Sequence, residues 1–266
     1  MHEIDFFMVD AFSNKAFGGN AAAVCLLREW PEDALLLSMA QQHNQSETAF
    51  IVNQPGGFAL RWFTTRNEVN LCGHGTLASA HVVFNHLNYP DDRIHFETLS
   101  GRLTVTRSGD WLTLDFPAGD TKAAAPPPAM LRALGISTYR HARRGRAWVI
   151  ELDNREQVEA LQPDIGAMTP GEHKVSVTAV GEGEYDFVSR FFSPGEAVWE
   201  DPVTGSAHTM LIPYWGEKLG KTQMLARQVS TRGGDIRCEW AGDRVLMGEK
   251  REPICRVRCC WINPAS

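Results

Sequence analysis

The chain is short of positive charge: 26 Lys and Arg stand against 32 Asp and Glu, for a formal net charge of -6. No block of Lys or Arg gathers anywhere along it. A surface for nucleic acid or for an anionic membrane needs a concentrated basic patch, so neither is expected as a partner. Long apolar runs are also lacking, and none approaches the roughly 20 residues that span a bilayer. The first residues carry Glu3 and Asp5 and no cationic segment followed by an apolar one, so they do not read as a signal peptide. A cytoplasmic location is the expectation. The 6 cysteines (Cys25, Cys72, Cys238, Cys255, Cys259 and Cys260) include no C-x-x-C pair, and a chain of this size builds a core without staples. Reduced thiols follow, with Cys259 and Cys260 read as two residues facing opposite sides of a last strand. Missing too are a Gly-x-Gly-x-x-Gly fingerprint, a Walker A sequence and a Gly-x-Ser-x-Gly elbow. The histidines form no metal-ligand cluster along the sequence. Proton chemistry on a small anionic molecule remains.

What is present is ordinary globular composition: 43% hydrophobic and 22% charged residues over 266 positions, room for one large domain or two of about 130. Strand-like apolar runs open at Ile4 to Phe12 and Ala21 to Leu27. Pro31 with Glu32 and Asp33 opens a helix, because Pro suits the first turn and acids suit the positive end of the dipole. Strands are expected over Thr48 to Val52 and Phe58 to Thr64. A helix from about Gly75 to Asn85 follows, with Leu77, Ala80, Val83 and Phe84 at helical spacing. Three more strands lead to Pro117 to Pro128, where four prolines and almost nothing to bury suggest an interdomain linker. The rhythm then returns: strands near Arg146 to Leu152, Lys174 to Val180 and Phe187 to Phe192, a helix from Gly205 to Leu219, and four closing strands. This reads as an α/β chain with an internal duplication at a period near ~130 residues.

Three places could carry chemistry. Leu71-Cys72-Gly73-His74-Gly75-Thr76 lies between a strand and an alanine-rich helix. Glycines at a helix start let a ligand approach the free N–H groups of the first turn, which receive a carboxylate or phosphate. His74 there can exchange a proton near neutral pH; equally, it can cap the helix or bond the backbone. Glu200-Asp201-Pro202-Val203-Thr204-Gly205-Ser206-Ala207 opens the second long helix in the same way. Asp201 before Pro202 is held extended, either aimed at a ligand or serving as an ordinary cap. Third, Glu47 enters an apolar strand after Asn44-Gln45-Ser46. It faces water or it sits in a pocket ready for proton transfer.

These residues, with Asp10-Ala11-Phe12, Phe17-Gly18-Gly19-Asn20, Ser46-Glu47-Thr48-Ala49-Phe50, Phe63-Thr64, the His74 turn, the Asp201 turn and Arg232-Gly233-Gly234, resemble in order the phenazine biosynthesis-like (PhzF-like) family. The resemblance implies a diaminopimelate-epimerase-like fold: two pseudo-symmetric α/β lobes, each a curved, mainly antiparallel sheet around a central helix, with a cleft between them. The lobes would span 1–118 and 129–266, the last strand being able to cross to the first. The resemblance also implies a homodimer, no cofactor, and Glu47 as proton-shuttling carboxylate, with His74 and Asp201 assisting. Asn20, Ser46, Gly73, Gly75, Thr76, Gly205 and Ser206 would hold the substrate. Three departures stand out: Gly19-Asn20-Ala21 for Gly-Asn-Pro, Phe63-Thr64-Thr65 for Phe-Thr-Pro, and Gly75 where Ala is usual.

The expected activity is cofactor-independent isomerisation of a small carboxylate-bearing substrate. Two alternatives stay open. One is a racemase or epimerase with Cys72 as half of a thiol pair, whose other half should lie near Thr204-Gly205. The other is a non-catalytic protein that binds a ligand or partner.

Overall fold

The structure, a computed structural model, describes residues 2–13, 15–196, 198–250 and 256–261. The chain divides into two units, Met1–Leu114 with Glu249–Ser266, and Asp115–Gly248. The proline-rich stretch thus belongs to the second unit. Among the described residues no helix is long and apolar enough to cross a membrane.

In the first unit, β1 (His2–Ala11), β2 (Asn20–Leu27), α1 (Asp33–His43), β3 (Thr48–Gln54), β4 (Gly57–Phe63), β5 (Glu68–Val69), α2 (Gly73–His86), β6 (Arg93–Thr98) and β7 (Gly101–Ser108) follow in order, and β8 (Trp111–Pro117) leads out. β1 pairs antiparallel with β2, and β2 runs parallel to β3. β3 is antiparallel to β4; β4 carries the short antiparallel β5 and runs parallel to β6. β6, β7 and β8 complete a meander. Helix α2 packs on β1, β2, β3 and β7, and every residue from His74 to Phe84 is buried. An all-round apolar helix is what a sheet wrapped about it requires. Its small residues Ala78, Ser79 and Ala80 let strands approach, while Leu77, Val82 and Val83 are fully buried, each contributing about 1.5–3 kcal/mol.

The second unit repeats this plan. Its elements are β9 (Lys122–Ala123), α3 (Pro128–Leu134), β10 (His141–Arg144), β11 (Trp148–Glu151), α4 (Arg155–Glu159), β12 (Val175–Val180), β13 (Phe187–Phe192), β14 (Glu200–Asp201), α5 (Gly205–Leu219), β15 (Gln223–Gln228), β16 (Gly234–Ala241) and β17 (Arg244–Lys250). β10 is antiparallel to β11, which is parallel to β12; β12 is antiparallel to β13, which carries short β14 and runs parallel to β15. β15, β16 and β17 form the second meander. Each β2-to-β8 pairing therefore has its counterpart in β11-to-β17, with α5 in the place of α2. The closing strand β18 (Arg256–Trp261) returns to pair with β1, as β9 pairs with β10. The side chains of Cys255, Cys259 and Cys260 lie outside the described residues.

The register makes the duplication visible in the residues. Phe63 faces Glu68 and Trp62 faces Val69 in the first unit; Phe192 faces Glu200 and Phe191 faces Asp201 in the second. Arg61 and Arg190 each grip the neighbouring glutamate with two nitrogens, Arg61 on Glu68 at 2.7 and 2.7 Å, Arg190 on Glu200 at 2.7 and 2.9 Å. Cys72 and Thr204 are the N-cap residues of α2 and α5.

The hairpin mouth between β1 and β2 is tightly specified. Phe12 has φ 60, and its N–H donates to the carboxylate oxygen Oε2 of Glu249 at 2.5 Å. Gly19, at φ 61, has no room for a side chain, since a Cβ would lie 2.1 Å from the Ala11 carbonyl oxygen. Glycine here delivers Asn20 to the first position of β2. Burial pushes the Glu249 carboxyl up to about 8, against the opposing pull of the Phe12 N–H.

Candidate functional site

Five side chains gather at the opening of α2. His74 is the second residue of that helix, and its imidazole is buried. Glu47 sits immediately before β3 and reaches His74 with Oε2 3.3 Å from Nε2. Ser46 Oγ lies 3.3 Å from the same nitrogen. On the ring's other side, Asn20 Nδ2 is 3.4 Å and Cys72 Sγ 3.6 Å from Nδ1. Asn20 Nδ2 donates, so Nδ1 of His74 accepts and the ring proton sits on Nε2, toward Glu47.

Of the two readings open for Glu47, water-facing or pocketed, the structure gives a mixture. Its side chain keeps 22% exposure. Its Oε2 is nonetheless buried and lacks a hydrogen-bond partner under strict geometry. A buried carboxylate oxygen left unbonded is costly, of order 1–3 kcal/mol. Such a group in a native protein calls for an explanation. The neighbouring His43 is no rival as acid or base: burial lowers it to about 4, and its Nδ1 lies 3.1 Å from Thr48 Oγ1.

Cys72 has a local structural task. Its sulfur accepts the Gly75 N–H at 3.3 Å as the side-chain N-cap, and its carbonyl accepts Thr76 Oγ1 at 2.6 Å. A cap of this kind meets one of the donors that the first turn leaves without an intrahelical partner. Thr76 is thereby turned into the helix, fully buried, rather than toward a ligand. The remaining first-turn positions are Gly73 and Gly75.

Gly75 has a specific cause. A Cβ there would meet Cys72 Sγ and Trp62 Cδ1, each at 2.9 Å, and Trp62 Nε1 at 3.2 Å. In the second unit the matching pair is Phe191 and Ala207. The larger indole goes with glycine, the smaller phenyl with alanine. Gly75→Ala is therefore expected to destabilise by about 1–3 kcal/mol, and Trp62→Phe in the same chain should recover part of that loss, the Cys72 Sγ contact remaining. Thermal melts of the two single variants and the double variant check this, the double-mutant cycle giving a coupling of opposite sign to the single cost.

Asp201, Gly205 and Ser206 lie in the second unit. Asp201 is half-buried on β14. Its carbonyl accepts Gln228 Nε2 at 2.6 Å, and the same glutamine bonds the Thr204 N–H at 2.9 Å and Thr204 Oγ1 at 3.1 Å. Gln228 is fully buried, and Arg190, also buried, fixes Glu200 beside Asp201 and donates to the carbonyls of Val158, Glu159 and Leu161. Neither residue announces itself in the sequence. Gln228 carries no motif, and Arg190 hides in the apolar run Phe187–Phe192.

The two helix openings differ in chemistry. Where the first unit has Glu47 before its β3, the second has Lys174 before β12, paired with Glu196 at 2.6 Å. Where the first has His74, the second has Ser206; where the first has Cys72, the second has Thr204. Among the described residues no second thiol stands at that opening, and Cys238 is fully buried in β16 with its thiol pushed far above its ordinary range by burial. The sequence separates the metal-binding residue types, yet ligand atoms of Glu47, Cys72 and His74 all lie within 4.8 Å of one another.

The family model of the phenazine biosynthesis-like proteins (PhzC-PhzF) matches residues 9–252. An uncharacterized isomerase of Pseudomonas aeruginosa is 43% identical over 249 residues, covering 93% of this chain and 95% of that protein. A phenazine biosynthesis protein of the PhzF family from Enterococcus faecalis has a TM-score of 0.93 at 39% identity, over 98% of this chain and 100% of its own. A predicted epimerase from Pseudomonas aeruginosa, 20% identical over 97% of this chain and 99% of its own, shares the fold with a TM-score of 0.75. With duplicated α/β units, each built round a buried helix, the chain belongs to the phenazine biosynthesis-like family.

Proposed function

We propose that this chain is an isomerase that moves a proton on a small carboxylate-bearing molecule, with Glu47 as the group that takes and returns it. The observation that carries this reading is the buried Glu47 oxygen, unbonded by strict geometry and 3.3 Å from the His74 Nε2. Glu47 accepts a proton from carbon, and the electron pair moves into the adjoining π system. The proton then returns to the same or a neighbouring carbon, leaving the composition unchanged. His74, with its proton on Nε2, steadies the carboxylate before transfer, and Asn20 and Ser46 hold the ring. The N–H group at Gly73, at the opening of α2, receives the substrate carboxylate and meets the charge that develops during transfer.

The set Glu47, His74 and Cys72 belongs to the first unit alone; the matching positions of the second unit are Lys174, Ser206 and Thr204, which supports a single proton carrier. The name isomerase carried by the Pseudomonas aeruginosa relative agrees with the reaction class.

The test is to incubate the protein with small aromatic and amino-acid carboxylates in D2O and follow each C–H signal by NMR. Deuterium entering one carbon of one compound is the expected result. A compound that binds tightly and never exchanges makes the chain a binding protein instead.

A further inference from the structure

We propose that Glu47, Cys72 and His74 also form a binding site for a thiophilic divalent cation, zinc above all, and that the bound ion shuts down the proton carrier. The donor set is one thiol, one imidazole and one carboxylate, the mixture zinc takes in sites that keep a position open for a further ligand. Oxygen-seeking ions such as magnesium have little use for a sulfur, so the set selects a softer cation.

The spacing fits. Zinc bonds of about 2.0–2.3 Å in a tetrahedron place nitrogen, oxygen and sulfur ligands roughly 3.3–3.7 Å apart. His74 Nε2 and Glu47 Oε2 are 3.3 Å apart, and Cys72 Sγ is 3.9 Å from that same nitrogen. The sulfur lies nearly as far from Nδ1, at 3.6 Å, so it packs beside the ring. A modest swing of the imidazole, resisted by contacts of 3.4 Å from Asn20 and 3.3 Å from Ser46, turns Nε2 toward it. The Glu47 oxygen that would meet the ion is the buried one without a hydrogen-bond partner. The second unit offers no equivalent, since Thr204, Ser206 and Lys174 replace the three donors.

Binding of the ion needs only these side chains, whereas the block on turnover rests on the proton-transfer reading above. The two are separated by measuring binding directly. Zn2+ is titrated into the metal-free protein by calorimetry, and Co2+ is added in parallel to record its absorption spectrum. One ion per chain is expected, with a thiolate-to-cobalt charge-transfer band. Cys72→Ser, which keeps a capping atom for Gly75, should lose the band and bind Zn2+ at least ~100-fold more weakly, beyond the 10–100-fold typical of losing a supporting group. Glu47→Gln should weaken binding while keeping the band. Zn2+ binding equal in wild type and Cys72→Ser, or a cobalt spectrum without a sulfur band, overturns the proposal. If the ion binds as described but isotope exchange is never found on any carboxylate, the metal site stands and the isomerase reading falls.

Discussion

Glu47→Gln is expected to cut turnover by about 100- to 10,000-fold, the span that general acid–base catalysis supplies, with the fold and the affinity for carboxylate retained. The amide keeps the shape of the side chain and still contacts the His74 Nε2, now 3.3 Å from a carboxylate oxygen, but it has no site that accepts a proton from carbon. Glu47→Asp separates chemistry from reach. It retains a carboxylate and draws it back by one methylene, and a displacement near 1 Å from a reacting carbon costs about 100-fold. Initial rates for the three proteins on a verified substrate, with binding measured by calorimetry, check the order wild type, Asp, Gln. Equal loss of binding and rate in Glu47→Gln would instead mark Glu47 as a residue that merely holds the substrate.

The second large effect concerns stability. Glu249 is fully buried, and burial lifts its carboxyl from an ordinary 4.5 to about 8. An acid that holds its proton more tightly when folded contributes its full stability below the unfolded value. That contribution is lost as pH rises from about 4.5 toward 8, because the unfolded chain releases the proton and the folded chain does not. The slope is about 1.4 kcal/mol per pH unit while the two states differ by one proton, and it ends once Glu249 ionises in the fold. Glu249→Gln removes this dependence and keeps an oxygen to accept the Phe12 N–H. The variant is therefore expected to be several kcal/mol more stable than wild type at pH 8 and no more stable at pH 4. Urea unfolding of both proteins across that range gives the difference curve. Parallel curves would mean that Glu249 is ionised in the fold at neutral pH.

Much of this architecture is legible in the residues, and the parts that are not share a cause. The runs Phe187–Phe192 and Gly205–Leu219 fold as their apolar patterns foretell. So do Ala21–Leu27 and Thr48–Val52, within β2 and β3, since apolar runs and helical spacing both reflect burial against a core. Strand β10 is His-Ala-Arg-Arg, exposed or half-buried throughout, and has no apolar pattern to detect. The two-residue strands β5 and β14 exist only through their partners β4 and β13. The duplication is readable as a rhythm of elements, but its residues align only through the pairing register. Arg61-Trp62-Phe63 then lies on Arg190-Phe191-Phe192, and Cys72-Gly73-His74 on Thr204-Gly205-Ser206. At the candidate site, Glu47, His74, Asn20 and Ser46 are each weak signals along the chain, and the fold of the first unit brings them into contact. Cys72 reads in the sequence only as a possible half of a thiol pair; that it accepts the Gly75 N–H as the cap of α2 comes from the fold. Gln228 and Arg190 act on segments distant in sequence, so composition offers no hint of them.

The most direct test of the central claim sets Glu47→Gln beside Cys72→Ser in D2O with the same substrate. A carboxylate carrying the proton predicts that exchange into the substrate carbon survives in Cys72→Ser, within about tenfold of wild type, and vanishes in Glu47→Gln by the 100-fold or more due to a lost acid–base group. Exchange that persists in Glu47→Gln and disappears in Cys72→Ser would place the chemistry on sulfur and contradict the account.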